Sequence, residues 1–146
     1  MSGQSIDTAT VVATLNRILE LELAGVVRYT HYSFMVFGFH RIPIVKWLRE
    51  QAEESLLHAQ ATGELVTRFG AEPSLGVGKL LDSVKHDLGD ILRESLEHER
   101  AAIAAYRDLL NLVEGRSVQL EEFARAQIAE EEQHADEVEK MLRRPG

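Results

Sequence analysis

Cysteine is absent from this 146-residue chain. That excludes disulfides, thiolate zinc sites, cysteine-ligated iron–sulfur clusters and cysteine nucleophiles together. Basic charge is short as well: 16 Lys and Arg stand against 24 Asp and Glu, for a formal charge of −8. A nucleic-acid surface needs clustered Lys and Arg to displace counterions, so no nucleic-acid partner is expected. No uncharged apolar run is long enough to span a bilayer. Met1-Ser2-Gly3-Gln4 lacks the basic and apolar regions of a secretory signal, so a soluble, cytoplasmic chain without a membrane partner is expected. Proline occurs only three times, at 43, 73 and 145, which leaves long stretches free to be helical. With 45% hydrophobic and 27% charged residues, the chain reads as one globular domain over 1–146.

Four helices are expected, at about 8–37, 43–69, 82–114 and 118–142. Asp7 and Ser117 are set as N-caps of the first and last. Pro43 opens the second in a first-turn position, and Gly38, Gly70 and Gly115 stand at helix ends. In the first helix, Leu15, Ile18, Leu19, Val26 and Tyr29 recur at the spacing of one helical face. Trp47, Ala61, Leu65 and Phe69 mark the expected inner face of the second. Short connections make helices one and two, and helices three and four, antiparallel hairpins. A helix of roughly 28 residues is about 42 Å long. The connector at 71–81, in extended form, is just long enough to return along it. The expected architecture is all-α: a four-helix bundle of two antiparallel helical hairpins joined by a long crossover.

The two hairpins repeat one another. A shift of 77 positions brings Leu19 onto Leu96, Glu22 onto Glu99, Tyr29 onto Tyr106, and Ala52-Glu53-Glu54 onto Ala129-Glu130-Glu131. At a shift of 76, His58-Ala59 falls on His134-Ala135. Related hairpins packed about a pseudo-twofold axis would produce this pattern.

The repeated residues are also the chemical ones. Glu22 and Glu99 lie on the apolar faces of their helices, where a carboxylate is costly unless paired, protonated or metal-bound. Glu131 and His134 form an i, i+3 pair beside Ile128 and Val138, and His58 shares a face with Ala61 and Leu65. Each piece alone more often marks a salt-bridged, capping or solvated residue than a ligand. Together, near the middle of four inward helices, they match the arrangement that holds two carboxylate-bridged metals. Glutamate oxygens and imidazole suit iron, and manganese or a mixed pair nearly as well. Consecutive residues point about 100° apart, so the runs at 97–99 and 130–132 are expected to be mainly surface. His31, His40 and His86 fall off the site. Tyr29 and Tyr106, each seven residues past a candidate ligand, read either as core residues or as hydrogen-bond donors to the site.

At these residues the chain resembles the ferritin-like superfamily, and bacterioferritins above all. The anchors are Leu21-Glu22-Leu23 with Tyr29, Leu96-Glu97-His98-Glu99, and Glu131-Glu132-Gln133-His134-Ala135. The resemblance implies a ferritin-like bundle with terminal glutamates at Glu22 and Glu99, a bridging glutamate at Glu131, and histidine ligands at His58 and His134. It implies two irons per site and oxidation of Fe(II) by O2 or H2O2, for iron storage or detoxification. Three departures follow. The family's second-helix Glu-x-x-His has Ser55 in place of its glutamate, so the bridging role either passes to Glu54, four residues before His58, or the site is asymmetric. The methionine that binds haem in bacterioferritin dimers is Leu56 here, so haem is not expected. The sequence ends 12 residues after His134, without the short fifth helix of many cages. A homodimer is therefore expected, with a larger cage left open. Two competing readings are a rubrerythrin-like peroxide-reducing enzyme and a helical interaction module with a vestigial metal site.

Overall fold

The computed structural model describes residues 5–81 and 86–143. It contains four helices: α1 (Thr8–Phe34), α2 (Arg41–Arg68), α3 (Leu88–Val113) and α4 (Val118–Leu142). Asp7 caps α1 by accepting the Thr10 N–H at 3.3 Å, and Ser117 caps α4 by accepting the Leu120 N–H at 3.3 Å. Both caps are those expected from sequence. Three boundaries differ. α1 stops at Phe34 rather than near 37, and Gly38, at φ +99°, serves the turn that leads into α2 instead of ending α1. α2 begins two residues before Pro43, which the first turn tolerates because its N–H groups have no intrahelical acceptor. α3 begins at Leu88, where Asp87 accepts the Asp90 N–H at 2.8 Å; the expected start at 82 lies outside the described residues. At the end of α2, Gly70 adopts φ +75° and donates to Thr67 O, while Ala71 donates to Val66 O. This paired closure satisfies two orphan carbonyls and needs a left-handed residue, hence glycine.

α1 packs on α2, α3 on α4, and α1 on α3. Side-chain pairs fix the directions: Tyr32 bonds Glu94 and Arg17 pairs with Asp108, so α1 and α3 run antiparallel. Arg68 with Gln119 and Glu54 with His134 make α2 and α4 antiparallel too. The crossover lies along α1. Ser74 N donates to Asn16 Oδ1 at 2.8 Å, Gly78 N to Glu20 O at 2.9 Å, and Arg28 Nε to Lys79 O at 3.0 Å. These contacts climb α1 from Asn16 to Arg28, as a full-length return requires. Among the described residues, no helix is long and apolar enough to cross a membrane.

The core divides around the polar middle. One cluster gathers Leu15, Ile18, Val66, Leu109, Val113 and Leu120; others gather Tyr29, Leu48 and Ile91, and Leu92, Leu96 and Val138. The inner face of α2 corrects the sequence reading: Ala61 is exposed, and Trp47, Leu65 and Phe69 are only half-buried. The buried stripe is Val45, Leu48, Ala52, Ser55, Ala59, Thr62 and Val66. Apolar residues such as Leu56 and Leu57 continue around to the solvent side of α2, which blurs its periodicity.

At mid-height α1 comes close to its neighbours through Gly25. A Cβ there would lie 2.7 Å from Ser55 Oγ and 3.0 Å from His98 Nε2. In an exposed helix, Gly→Ala stabilises by about 1 kcal/mol. Here overpacking outweighs that gain, and Gly25→Ala is expected to lower stability by about 1–2 kcal/mol in urea denaturation. An alanine variant more stable than the parent would contradict this contact.

Candidate metal centre

Glu22 on α1, His58 on α2, Glu99 on α3 and Glu131 on α4 are all buried, at 2%, 7%, 3% and 4% exposure. Each helix turns one of these side chains toward the bundle axis at the same height, and the aliphatic clusters above and below keep water out. His58 Nδ1 lies 2.9 Å from Glu22 Oε2 and 3.5 Å from Glu131 Oε1. His134 Nδ1 lies 3.8 Å from Glu131 Oε2, and its Nε2 lies 3.0 Å from Glu54 Oε2. Among the described residues, three groups have ligand atoms all within 4.8 Å of one another; two lie at the centre, Glu22–His58–Glu131 and Glu99–Glu131–His134, and the third, Glu54–His58–Glu130, lies at the rim. Glu131 is common to the two central groups. α2 and α4 meet here through Glu and His side chains rather than through close backbone approach, so the site fills the gap between them.

All six residues singled out in the sequence therefore come together, but not equivalently. Glu54 stands at the half-exposed rim against His134, while its repeat partner Glu131 occupies the centre. Ser55 is buried against Gly25. The two tyrosines are both core residues and hydrogen-bond donors: Tyr29 donates to Glu99 Oε1, and Tyr106 to Glu22 Oε2 at 2.7 Å. Each tyrosine thus reaches the carboxylate of the opposite hairpin, as a pseudo-twofold arrangement demands.

A cation fits this donor set. Three buried carboxylates face two imidazoles, and the Glu99 Oε2 atom is buried without any hydrogen-bond partner. An orphaned carboxylate oxygen carries a desolvation cost that a metal ion would remove. Oxygen and imidazole donors without sulfur suit divalent transition metals, iron and manganese among them.

The sequence pattern of the ferritin-like domain matches residues 12–145. The chain belongs to the ferritin-like family. No curated protein matches its sequence. Among solved structures, it is similar to a dodecameric thioferritin, the bacterioferritin-related protein of Bacteroides fragilis, at 24% identity and a TM-score of 0.88, over 94% of this chain and 87% of that one. A ferritin-like diiron-carboxylate protein of Bacillus anthracis aligns at 20% identity and a TM-score of 0.85, over 96% of this chain and 100% of that one. The bacterioferritin of Desulfovibrio desulfuricans, which has a diiron site, aligns at 21% identity and a TM-score of 0.83, over 92% of this chain and 79% of that one. At these identities the likeness establishes the fold.

The electrostatics of this ferritin-like centre follow from packing charges at the core. Burial pushes the Glu22 carboxyl up, against the hydrogen bonds from His58 and Tyr106 that favour its charge. Burial works the same way on Glu131, but hydrogen bonds from His134 and His58 outweigh it and hold Glu131 below the usual carboxylate range. Burial opposes charge on His58, yet Glu131 and Glu22 prevail and push it up to about 10. His134 is raised by Glu131 and Glu54 against its own burial. Without metal, then, the buried carboxylates favour the protonated form of both imidazoles.

Three residues escaped the sequence reading. His98, placed at the surface with its neighbours, is buried at 6% exposure, where burial and Arg28 lower it to about 4. α3 packs against both α1 and α4, so its buried arc is wide enough to take adjacent positions 98 and 99. Arg28 is also buried, its guanidinium donating to Lys79 O on the crossover. Glu130 is half-buried, with its Oε2 3.3 Å from His58 Nε2. Of the remaining histidines, His31 and His86 face each other at 2.9 Å, and His40 is exposed.

Proposed function

We propose that this chain is a di-metal oxidase that converts Fe(II) to Fe(III) with O2 or H2O2, in iron storage or detoxification. The observation that carries the proposal is Glu131, one buried carboxylate shared by two Glu–His groups. Glu22 and His58 would hold one ion, Glu99 and His134 the other, with Glu131 between them and Glu54 closing the His134 side from the rim. Two Fe(II) ions held there would supply one electron each, which with two protons would reduce O2 to H2O2 or H2O2 to water. The chain's own part is to hold and exclude. Tyr106 and Tyr29 fix the carboxylates of Glu22 and Glu99 by hydrogen bonds, so neither must reorient when charge arrives. The aliphatic clusters keep the site dry, which strengthens every charge interaction within it. Manganese or a mixed pair would be held by the same donors.

Fe(II) added anaerobically and then exposed to oxygen is expected to oxidise faster with this protein than with a Glu22→Ala/Glu131→Ala double variant. Equal rates would sink the proposal. Rapid peroxide turnover with little iron retained would favour a rubrerythrin-like role instead. Less than one metal per chain in protein from iron-supplemented cells would favour an interaction module. The working assembly is proposed to be at least a homodimer, which light scattering reads directly; Phe37, Phe39 and Ile42 are exposed at the α1–α2 turn.

A further inference from the structure

Arg28 is a buried charge without a counter-charge. It is 7% exposed on α1, and its Nε and one terminal nitrogen donate to the Lys79 carbonyl at 3.0 and 2.9 Å. Among the described residues, no carboxylate pairs with its guanidinium. Arginine is rarely buried unless paired, because a neutral carbonyl returns little of the solvation a cation loses. A second polar group stands beside it. His98 on α3 is 6% exposed, and among the described residues neither of its ring nitrogens has a hydrogen-bond partner. Its Nε2 approaches α1 at Gly25, one turn before Arg28, where an added Cβ would lie 3.0 Å away. Arg28 and His98 line one cavity of about 200 Å³ between α1, α3 and the crossover. Leu21 and Ala101 are its apolar lining, and Lys79 and Glu97 complete the polar part. Two cations against one carboxylate leave this cavity net positive, in a chain whose formal charge is −8. At about 30 Å³ per water, it has room for a tetrahedral oxyanion and a few waters.

We propose that this cavity binds a small oxyanion of the phosphate or sulfate kind, held by the Arg28 guanidinium and a ring N–H of His98. Lys79 adds positive charge from the crossover. A guanidinium carries five N–H groups in a rigid fork, so Arg28 can hold the Lys79 carbonyl and still present donors to a ligand. Paired N–H donors from such a fork match the oxygen spacing of a phosphate. The anion supplies the counter-charge that Arg28 lacks and the partner that His98 lacks. Because its holders come from α1, α3 and the crossover, binding ties these three together. None of the six residues at the metal centre lines the cavity, so the site stands apart from the di-metal reading and does not depend on it.

Inorganic phosphate titrated into the intact chain at fixed ionic strength, with chloride as the balancing anion, tests this by NMR. The Arg28 Nε–H and His98 ring signals are expected to shift together and to saturate at one anion per chain. Sulfate should compete for the same position. Arg28→Gln, read through His98, should weaken phosphate about tenfold or more. That change also loosens the hold on the Lys79 carbonyl, so His98→Leu serves as a second variant. It leaves the hydrogen bonds of Arg28 in place and, read through Arg28, should weaken phosphate about fivefold. Arg17→Gln removes an exposed charge of the same helix, one already paired with Asp108, and should bind phosphate as the parent does. Shifts that grow without saturating, or that chloride alone reproduces, would overturn the site. So would parent affinity in His98→Leu, or a loss in Arg17→Gln equal to that in Arg28→Gln. Each of those results would leave the metal centre standing, since Fe(II) oxidation is read separately.

Discussion

Glu131→Gln is expected to cut metal binding from two ions per chain to one or none, and to slow Fe(II) oxidation by about 100-fold or more. The change is nearly isosteric, so its effect is one of charge and donor strength rather than shape. Among the described residues, Glu131 is the buried carboxylate common to both Glu–His groups, its oxygens lying 3.5 Å from His58 Nδ1 and 3.8 Å from His134 Nδ1. A residue that merely orients a ligand is worth about 10–100-fold in metal affinity. A donor shared by both positions should exceed that range. The metal-free protein should change as well. Glu131 stabilises the charged form of His58, and without it burial alone acts on a ring now supported only by Glu22 and the half-exposed Glu130. The His58 pKa should then fall from about 10 toward the ordinary histidine range, which NMR titration of the imidazole protons would read. Two ions bound at parent affinity in Glu131→Gln would remove the shared-carboxylate reading, whatever the variant's stability.

The centre was more legible in the sequence than the surfaces around it, and the reason is geometric. Glu22, Glu99, Glu131 and His58 announce themselves because a charged or polar residue on an apolar stripe violates the 3.6-residue pattern, and the internal repeat marks the same positions twice. The two hairpins and the crossover followed from helix length and loop length alone. What periodicity could not supply was phase where a helix meets two neighbours. α3 buries an arc that takes His98 beside Glu99, and a rule that consecutive residues diverge by about 100° then misplaces His98 at the surface. On α2 the apolar residues run around more than one face, so Ala61 looked inward while Ser55 and Thr62 are the buried ones. Ser55 itself was visible only as a departure from a family motif. Its meaning lies in an approach that no local sequence encodes: α1 passes so close at Gly25 that a Cβ there would meet Ser55, with His98 of α3 crowding the same point. Likewise Glu54 and Glu131 are equivalent by repeat but not by place, one at the rim and one at the centre.

Metal binding should release protons, and the stabilisation it brings should grow with pH. The sign follows from the groups at the centre. His58, at about 10 in the folded metal-free protein, carries its proton at neutrality, and Glu131 and Glu54 shift His134 toward its protonated form against its burial. A raised histidine contributes stability that is fully present below its unfolded pKa of about 6.5 and is lost as pH rises through the folded value. The metal-free protein should therefore lose stability from about pH 6.5 toward pH 10 through His58. Glu131 works on the other side: its lowered pKa contributes stability present above the usual carboxylate range and lost as pH falls below it. A metal ion binds only neutral imidazole, so each ligated histidine must give up its proton. About one proton per chain or more, the first from His58, is expected to leave at neutral pH when both positions fill, measurable by calorimetry in buffers of different ionisation enthalpy. With Zn(II) or Co(II) at about 1,000 times the dissociation constant, the folded state gains roughly 4 kcal/mol. For a chain of this size that raises the melting temperature by about 10 °C or more. Because protons compete with the ion for His58 and His134, that increment should be larger at pH 8 than at pH 6. A melting increment that does not change with pH, or binding without proton release, would mean that the ions sit on surface carboxylates and not between these two histidines.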